Sequence, residues 1–125
     1  MKRKSDFTFW IVIVVVLAAI IGWAVYSNNA PGQYDQFAQC LKDNGAKFYG
    51  AFWCPHCQNQ KAMFGNSARL LPYVECSTPN REQLAICNNA KVQSYPTWRF
   101  ADGTELTGEI PLSQLAEKTS CVLPK

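Results

Sequence analysis

The stretch KFYGAFWCPHC, residues 47–57, decides the fold. Its first part, residues 47–53, is a short and mostly apolar, aromatic run, which is typical of a buried β-strand. The tetrad CPHC, residues 54–57, follows at once. Because a proline suits the first turn of a helix, we predict a helix that begins at Pro55 and runs to about Leu70. The sequence therefore predicts a strand-to-helix junction that carries two cysteines at CxxC spacing.

Two cysteines on the first turn of a helix can form a disulfide with each other. They also lie among backbone N–H groups without helical partners, at the positive end of the helix dipole. Since the thiolate is the form that attacks a disulfide, we predict Cys54 as the attacking cysteine and Cys57 as its buried resolving partner. His56, if protonated or donating a hydrogen bond, adds to the stabilisation of the thiolate. A stabilised thiolate makes the disulfide form a stronger oxidant.

Pro96 supports this interpretation, because it follows Cys57 by 39 residues and stands directly before a predicted strand. The spacing resembles that of thioredoxin-like folds, which place a cis-proline before this strand, facing the cysteines, and the cis form costs little when the second residue is proline. The backbone of Tyr95 is then free to pair with a peptide substrate beside the disulfide. We predict Pro96, Tyr95 and Trp53 as substrate-binding residues, and the two aromatic side chains fit plain core or surface positions equally well.

The alternatives for the cysteines are a zinc site and purely structural disulfides. A zinc site would need two further ligands, and Cys76 and Cys87 have neither CxxC nor knuckle spacing, so no metal is predicted. A purely structural disulfide in the tetrad would not require Pro96. Six cysteines suggest an oxidising compartment. We favour a structural Cys76–Cys87 disulfide. A bridge between the leftover Cys40 and Cys121 is doubtful, because thioredoxin-like layouts put the first and last helices on opposite faces of the sheet. The alternatives are that these two cysteines are unpaired or contact a partner.

Residues 34–125 are predicted to form one domain that alternates helices and strands. This order implies an α/β fold in which helices flank a central mixed sheet, the minimal thioredoxin-like layout with one extra leading helix. An Asp102-Gly103 turn closes the hairpin between the last two strands. The helices are predicted at 34–44, 55–70, 78–89 and 112–119, and the strands at 47–53, 71–76, 96–101 and 104–107.

The amino-terminal part is different in kind. Residues 7–26, FTFWIVIVVVLAAIIGWAVY, carry no charge and as a helix would span about 30 Å, the thickness of the hydrocarbon core of a bilayer. Residues 1–6 form a basic flank, which predicts a cytoplasmic amino terminus and an extracytoplasmic domain, in the periplasm or its equivalent. Residues 27–33 are predicted to form a short linker. A cleaved signal peptide is the alternative, but residues 26–30 fit a small-x-small cleavage site poorly.

The charge distribution limits the possible partners. The formal net charge is +3, and the residues from Ser27 onward hold nine Lys/Arg against eight Asp/Glu. A nearly balanced domain offers no electrostatic footprint for nucleic acid, so no nucleic-acid partner is predicted. The remaining excess of positive charge belongs to the amino-terminal flank beside the predicted membrane anchor.

Three segments carry a resemblance to a known family. They are FAQCLKDNGAKFYGAFWCPHCQNQKAMFG (37–65), LPYVECS (71–77) and SYPTWRF (94–100). Together they resemble the thioredoxin-like domain that accompanies bacterial and plant homologues of vitamin K epoxide reductase. The resemblance covers about residues 34–121. Its CPHC tetrad is shared with DsbA-type oxidases, but the 37 residues between Cys57 and Tyr95 leave no room for the inserted helical domain of DsbA.

In that family, the domain takes electrons from secreted proteins and passes them to a four-helix membrane enzyme that reduces a quinone. The resemblance therefore implies a relay role for Cys54 and Cys57 and a substrate-groove role for Pro96. It implies exported proteins with cysteines as substrates, and no cofactor in this chain. Because only one membrane helix is predicted, a separate vitamin K epoxide reductase-like membrane protein is implied as partner.

One departure from the wider superfamily bears on the mechanism. Thioredoxin and DsbA carry an acidic residue six positions before the first cysteine, and here that position is Phe48, so no carboxylate serves as proton relay at that place. Two other functions stay open from the sequence. One is a membrane-tethered disulfide reductant of the cytochrome c maturation type, and the other is a non-catalytic module that binds clients through the groove around Pro96.

Overall fold

The computed structural model describes residues 2–125, with side chains from Asp6 onward. It divides into two units, one ending at Ala30 and one comprising Pro31–Lys125. Of the predicted basic flank, Met1 and the side chains of residues 2–5 lie outside the described part. The first unit is helix α1, Lys2–Asn29. The first three residues of the predicted linker, 27–29, are therefore helical.

Helix α1 contains a span, Asp6–Asn29, that is long and apolar enough to cross a membrane by length and composition. Its 24 residues correspond to about 36 Å of helix, somewhat more than the roughly 30 Å hydrocarbon core of a bilayer. A signal sequence shares these two properties.

The second unit has a thioredoxin-like fold, which confirms the predicted fold class. A four-stranded mixed sheet has the order β2-β1-β3-β4, in which β1 pairs parallel with β2 and antiparallel with β3. The hairpin β3–β4 is antiparallel. The strands are β1 Lys47–Gly50, β2 Tyr73–Glu75, β3 Thr97–Arg99 and β4 Glu105–Thr107, and the helices are α2 Asp35–Asp43, α3 Pro55–Ala62, α4 Ala85–Asn89 and α5 Leu112–Thr119.

The two faces of the sheet carry separate apolar clusters, because successive residues of β1 point to opposite sides. Phe48 belongs to the larger cluster, stacks on Trp98 with ring centroids 4.7 Å apart, and has no exposed surface. Side chains of α2, α3 and α5 complete this cluster. Tyr49 belongs to the smaller cluster, together with Cys76 and Cys87. The sheet is thus covered by three helices on one face and by α4 on the other.

The predicted helix 55–70 is wrong in its second half. Helix α3 ends at Ala62, and a separate 3₁₀ segment occupies Gly65–Leu70. Gly65 has a φ of +53°, which lies in the left-handed region and interrupts a right-handed helix. The break turns the chain, and Phe64 next to it is buried against Phe37 of α2, with ring centroids 5.8 Å apart.

The predicted helix 78–89 is also wrong, because only Ala85–Asn89 is helical. Thr78 closes a loop in place of capping a helix: its N–H donates to the Glu82 carbonyl at 2.9 Å, and its hydroxyl accepts from the Glu82 N–H at 3.1 Å. Arg81, inside this loop, has a φ of +65°. The Thr-Pro pair at residues 78–79 therefore begins a turn here and not a helix, since the same residue types are common in turns.

Two disulfides tie the domain together, Cys76–Cys87 and Cys40–Cys121. The first is the pairing favoured from the sequence. The doubt about the second was wrong, because α2 and α5 lie on the same face of the sheet. Asn44, at the end of α2, donates to the Thr119 carbonyl at 2.9 Å, so the carboxyl ends of the two helices meet. This places Cys121, directly after α5, beside Cys40.

Candidate redox site

Cys54 and Cys57 are free thiols at the amino terminus of α3. Cys54 is the N-cap residue, Pro55 is the first helical residue, and the Cys57 N–H donates to the Cys54 sulfur at 3.3 Å. Cys54 is 4% exposed and Cys57 is 0% exposed. Both thiols are therefore buried, Cys54 is the slightly more accessible of the two, and a backbone N–H is directed at its sulfur.

The Cys57 thiol is held in its protonated form. Burial raises the pKa of Cys57 to about 12, and the hydrogen bond and charge of Cys54 act in the same direction. The Ala51 backbone and the Lys61 ammonium act in the opposite direction. A thiol with such a pKa is almost entirely protonated at neutral pH, so Cys57 needs help before it can attack or leave as a thiolate.

Gly50, the last residue of β1, makes room for Cys57. A Cβ atom at this position would stand 3.0 Å from the Cys57 sulfur and 2.9 Å from Cε2 of Tyr73. Contacts this short require a neighbour to move. The thiol of Cys57 and the ring of Tyr73 therefore lie side by side over the backbone of Gly50.

A Gly50→Ala substitution is expected to destabilise the domain by about 1–3 kcal/mol, because the added methyl group overpacks a filled site. It should also displace the Cys57 sulfur and slow every step that uses this thiol. Urea unfolding and a thiol-exchange assay measure the two effects. Unchanged stability together with unchanged exchange would contradict the packing described for Gly50.

The side chain of Tyr73 lies between the Cys57 thiol and the carboxylate of Glu75. Its hydroxyl donates to Oε2 of Glu75 at 2.7 Å, and Oε1 of Glu75 accepts from the N–H groups of Phe52 and Ser77 at 3.2 and 3.0 Å. Burial raises the pKa of Tyr73, and the hydrogen bond to Glu75 adds to the rise, so the phenol stays neutral. The ammonium of Lys61 lies 3.4 Å from the centroid of the same ring.

His56 is bonded to a residue far away in the sequence. Its Nδ1 lies 2.7 Å from Oε1 of Glu109, which also accepts from Asn59 at 2.9 Å. The hydrogen bonds from His56 and Asn59 hold the pKa of Glu109 below its ordinary value. The His56 side chain is 70% exposed. The loop that carries Glu109 is fixed to α3, because the buried Gln60 amide exchanges two hydrogen bonds with the Ile110 backbone, at 2.6 and 3.0 Å.

The predicted substrate-binding residues lie on two segments that meet. Trp53 and Tyr95 form an edge-to-face pair with ring centroids 6.2 Å apart. The Trp53 indole donates to the Ser77 hydroxyl at 2.7 Å and is 37% exposed. The Tyr95–Pro96 peptide bond is cis, and Pro96 is buried. Trp53 directly precedes Cys54, so this aromatic pair borders the thiols.

Sequence reasoning missed the residues around the thiols that come from other elements. They are Gly50, Tyr73, Glu75 and Glu109, and Lys61 on α3 itself was missed as well. One feature of the sequence could have pointed to Lys61. It follows Cys57 by four residues and therefore lies on the same face of the predicted helix. Within the described part of the chain, no group of three or more His, Cys, Asp or Glu side chains could hold a metal ion.

No protein-family model matches this chain. Over 87 residues, the chain is 46% identical to the thiol-disulfide oxidoreductase LTO1 of Arabidopsis thaliana. The match covers 66% of this chain and 23% of LTO1, so the chain spans about a quarter of the length of this relative. The chain is thus similar to part of an oxidoreductase, and its two free cysteines have the arrangement that thiol–disulfide exchange requires.

Proposed function

We propose that this chain is a thiol–disulfide oxidoreductase that forms or exchanges disulfides in exported proteins through Cys54 and Cys57. The observation that carries the proposal is the pair of free thiols at the amino terminus of α3. The other four cysteines of the domain form two disulfides. The similarity to LTO1 supports the same activity.

The reaction is a pair of thiol exchanges. A client thiolate attacks the Cys54 sulfur of the Cys54–Cys57 disulfide, and Cys57 leaves as a thiolate that then takes up a proton. A second client thiolate attacks the client sulfur of the mixed disulfide and releases Cys54. Two electrons and two protons pass from the client dithiol to the protein, and the client gains a disulfide.

The proposed location follows from α1. The apolar span Asp6–Asn29 anchors the chain in a membrane, and the basic residues Lys2, Arg3 and Lys4 keep the amino terminus in the cytoplasm. The domain then works on the extracytoplasmic side, in the periplasm or an equivalent compartment. Two structural disulfides are in keeping with such an oxidising environment.

The cycle needs an acceptor for the electrons that collect on Cys54 and Cys57. We propose a separate quinone-coupled membrane protein related to vitamin K epoxide reductase. The segments 37–65, 71–77 and 94–100 support this partner, since they resemble the domain that accompanies such enzymes. The Trp53–Tyr95 pair, next to Cys54, and the backbone at Tyr95–Pro96 form the proposed contact surface for client peptides.

A reductant is the second candidate, and the contact between His56 and Glu109 favours it. A cation beside Cys54 stabilises the thiolate and makes the disulfide oxidising, whereas a carboxylate 2.7 Å from the imidazole offsets part of that field. The same domain could therefore deliver electrons to client disulfides, with the exchange steps running in reverse.

The reduction potential of the Cys54–Cys57 pair separates the two candidates. We expect a value near the −120 mV of strongly oxidising DsbA, well above the −270 mV of thioredoxin. Equilibration of the chain with glutathione buffers, followed by alkylation of free thiols, measures it. The bonded cysteines Cys40, Cys76, Cys87 and Cys121 serve as internal control, because they should stay unlabelled. A potential near that of thioredoxin would overturn the oxidase and support the reductant.

A further inference from the structure

We propose that Lys61 is the group that stabilises the Cys57 thiolate during thiol exchange, at a site where position 48 holds a phenylalanine. The inference rests on the proposed function, since it concerns the cysteine that leaves and attacks in that reaction. It makes Lys61 an electrostatic positioning residue for Cys57. Phe48 is fully buried and stacked on Trp98, so no ionisable group reaches the site from its position.

The first argument is the placement of Lys61 on α3. It follows Cys57 by four residues, so both side chains leave the helix on one face. The Tyr73 ring lies next to the Cys57 sulfur over Gly50, and the Lys61 ammonium lies 3.4 Å from the centroid of that same ring. A half-buried cation and a fully buried thiol thereby both lie next to the ring of Tyr73.

The second argument is the way in which the ammonium is held. A cation over an aromatic face is attracted by the negative face of the ring. The Tyr73 hydroxyl donates to Glu75, whose other carboxylate oxygen accepts two backbone N–H groups, so the hydroxyl end of the ring is anchored beside β2. Glu75 is thus occupied as an acceptor, and Lys61 is the group left to face the Cys57 thiolate.

The other ionisable groups around Cys57 do not supply the same charge. Cys54 and Glu75 are neutral or negative, and Tyr73 is a neutral phenol. Tyr95, from the loop before β3, has a pKa that burial raises, and the charges of Glu75 and Cys57 add to that rise. Lys61 is the group whose charge favours the thiolate of Cys57. Its effect applies in both directions of exchange, since Cys57 is a thiolate both when it leaves and when it attacks.

A two-phase assay on the reduced full chain in detergent micelles tests the inference. An aromatic disulfide whose thiolate product is coloured reacts first with Cys54, which releases one equivalent of colour and leaves a mixed disulfide. Cys57 then loses its proton to the buffer, attacks the Cys54 sulfur and releases the second equivalent. The two phases therefore report separately on the two cysteines.

We expect Lys61→Met to slow the second phase about three- to tenfold at neutral pH and to leave the first phase within twofold, because the lost interaction is a single partly solvated charge. The pH profile of the second-phase rate, measured between pH 6 and 9, should move to higher pH by about 0.5–1 unit. This shift is the same three- to tenfold factor on a logarithmic scale. Lys61→Arg should restore the second phase, since it keeps the positive charge.

Lys118→Met is the matched control. Lys118 lies over the ring of Phe100, 5.7 Å from its centroid, and pairs with Asp102 at 2.9 Å, on α5 and not on α3. It should change neither phase. The inference is overturned if Lys61→Met leaves the second phase within twofold, or if it slows both phases equally, as a structural defect would. A wild-type chain that releases no coloured product would instead overturn the proposed function, and the inference with it.

Discussion

A Cys54→Ser variant is expected to lose disulfide exchange by more than about a thousandfold, to the limit of the assay, because a serine hydroxyl does not form a thiolate-like nucleophile at neutral pH. A Cys57→Ser variant is expected to behave differently. It keeps the attack by Cys54 but lacks the partner that releases the client, so mixed disulfides through Cys54 should accumulate. Non-reducing gels of cells that produce each variant show both outcomes.

The pair of variants carries its own control. Both replace one sulfur by one oxygen in the same helical turn, and the mechanism predicts trapping in Cys57→Ser alone, whereas a loss of folding would abolish trapping in that variant. Equal trapping by the Cys54→Ser variant would reverse the roles assigned to the two cysteines. The trapped proteins also test the partner: exported proteins with cysteines and a quinone-reducing membrane enzyme are expected among them. If no such enzyme is recovered, the proposed partner is wrong.

The local features of the site could be predicted because they depend on neighbours in sequence. Residues 47–57 give a strand, a proline at the start of a helix and two cysteines one turn apart, and the structure places them so. The Asp102-Gly103 turn could be predicted for the same reason. Gly103 has a φ of +81°, and the Asp102 carboxylate accepts from the Thr104 N–H at 3.0 Å.

Contacts between distant segments could not be predicted in this way. Glu109 lies 53 residues from His56, and no local pattern marks it as a neighbour of the tetrad. Glu75 reaches the site only because β2 pairs with β1 in a register that sets it opposite Gly50. The error over residues 78–89 has a related cause. A Thr-Pro pair starts helices and loops alike, and the contacts of Thr78 with Glu82 decide for a loop.

The contact of His56 with Glu109 changes the argument about direction. From the sequence, His56 favours an oxidising disulfide, because a cation near Cys54 stabilises the thiolate. The structure adds a carboxylate whose own pKa is lowered by the same hydrogen bond, so it stays ionised at neutral pH. The tetrad alone therefore does not fix the potential. We expect it to depend also on Glu109, which is bonded to His56, and on the opposing effects of burial and Lys61 at Cys57.

Removal of the Cys40–Cys121 disulfide, in a Cys40→Ala/Cys121→Ala variant, is expected to lower the free energy of unfolding by about 4–5 kcal/mol. This bridge spans 81 residues, and the loop that it closes in the unfolded chain is correspondingly long. The bridge joins the first and last helices of the domain and so restrains nearly the whole unfolded domain. Since domains of this size are stable by about 5–15 kcal/mol, the loss is a large part of the total.

The Cys76→Ala/Cys87→Ala variant is the matched comparison, because the same chemical change removes a bridge over only 11 residues. The chain-entropy relation predicts a loss of about 3 kcal/mol for it, smaller by some 1–2 kcal/mol. Urea unfolding of the full chain in micelles, followed by near-ultraviolet circular dichroism of the buried Trp98–Phe48 stack, compares the two variants. An equal or larger loss for the short bridge would show that packing around Cys76 and Cys87, both fully buried, outweighs the restraint on the unfolded chain. The expected order follows from loop length, and it makes the bridge between the ends of α2 and α5 the stronger support of the scaffold that positions Cys54 and Cys57.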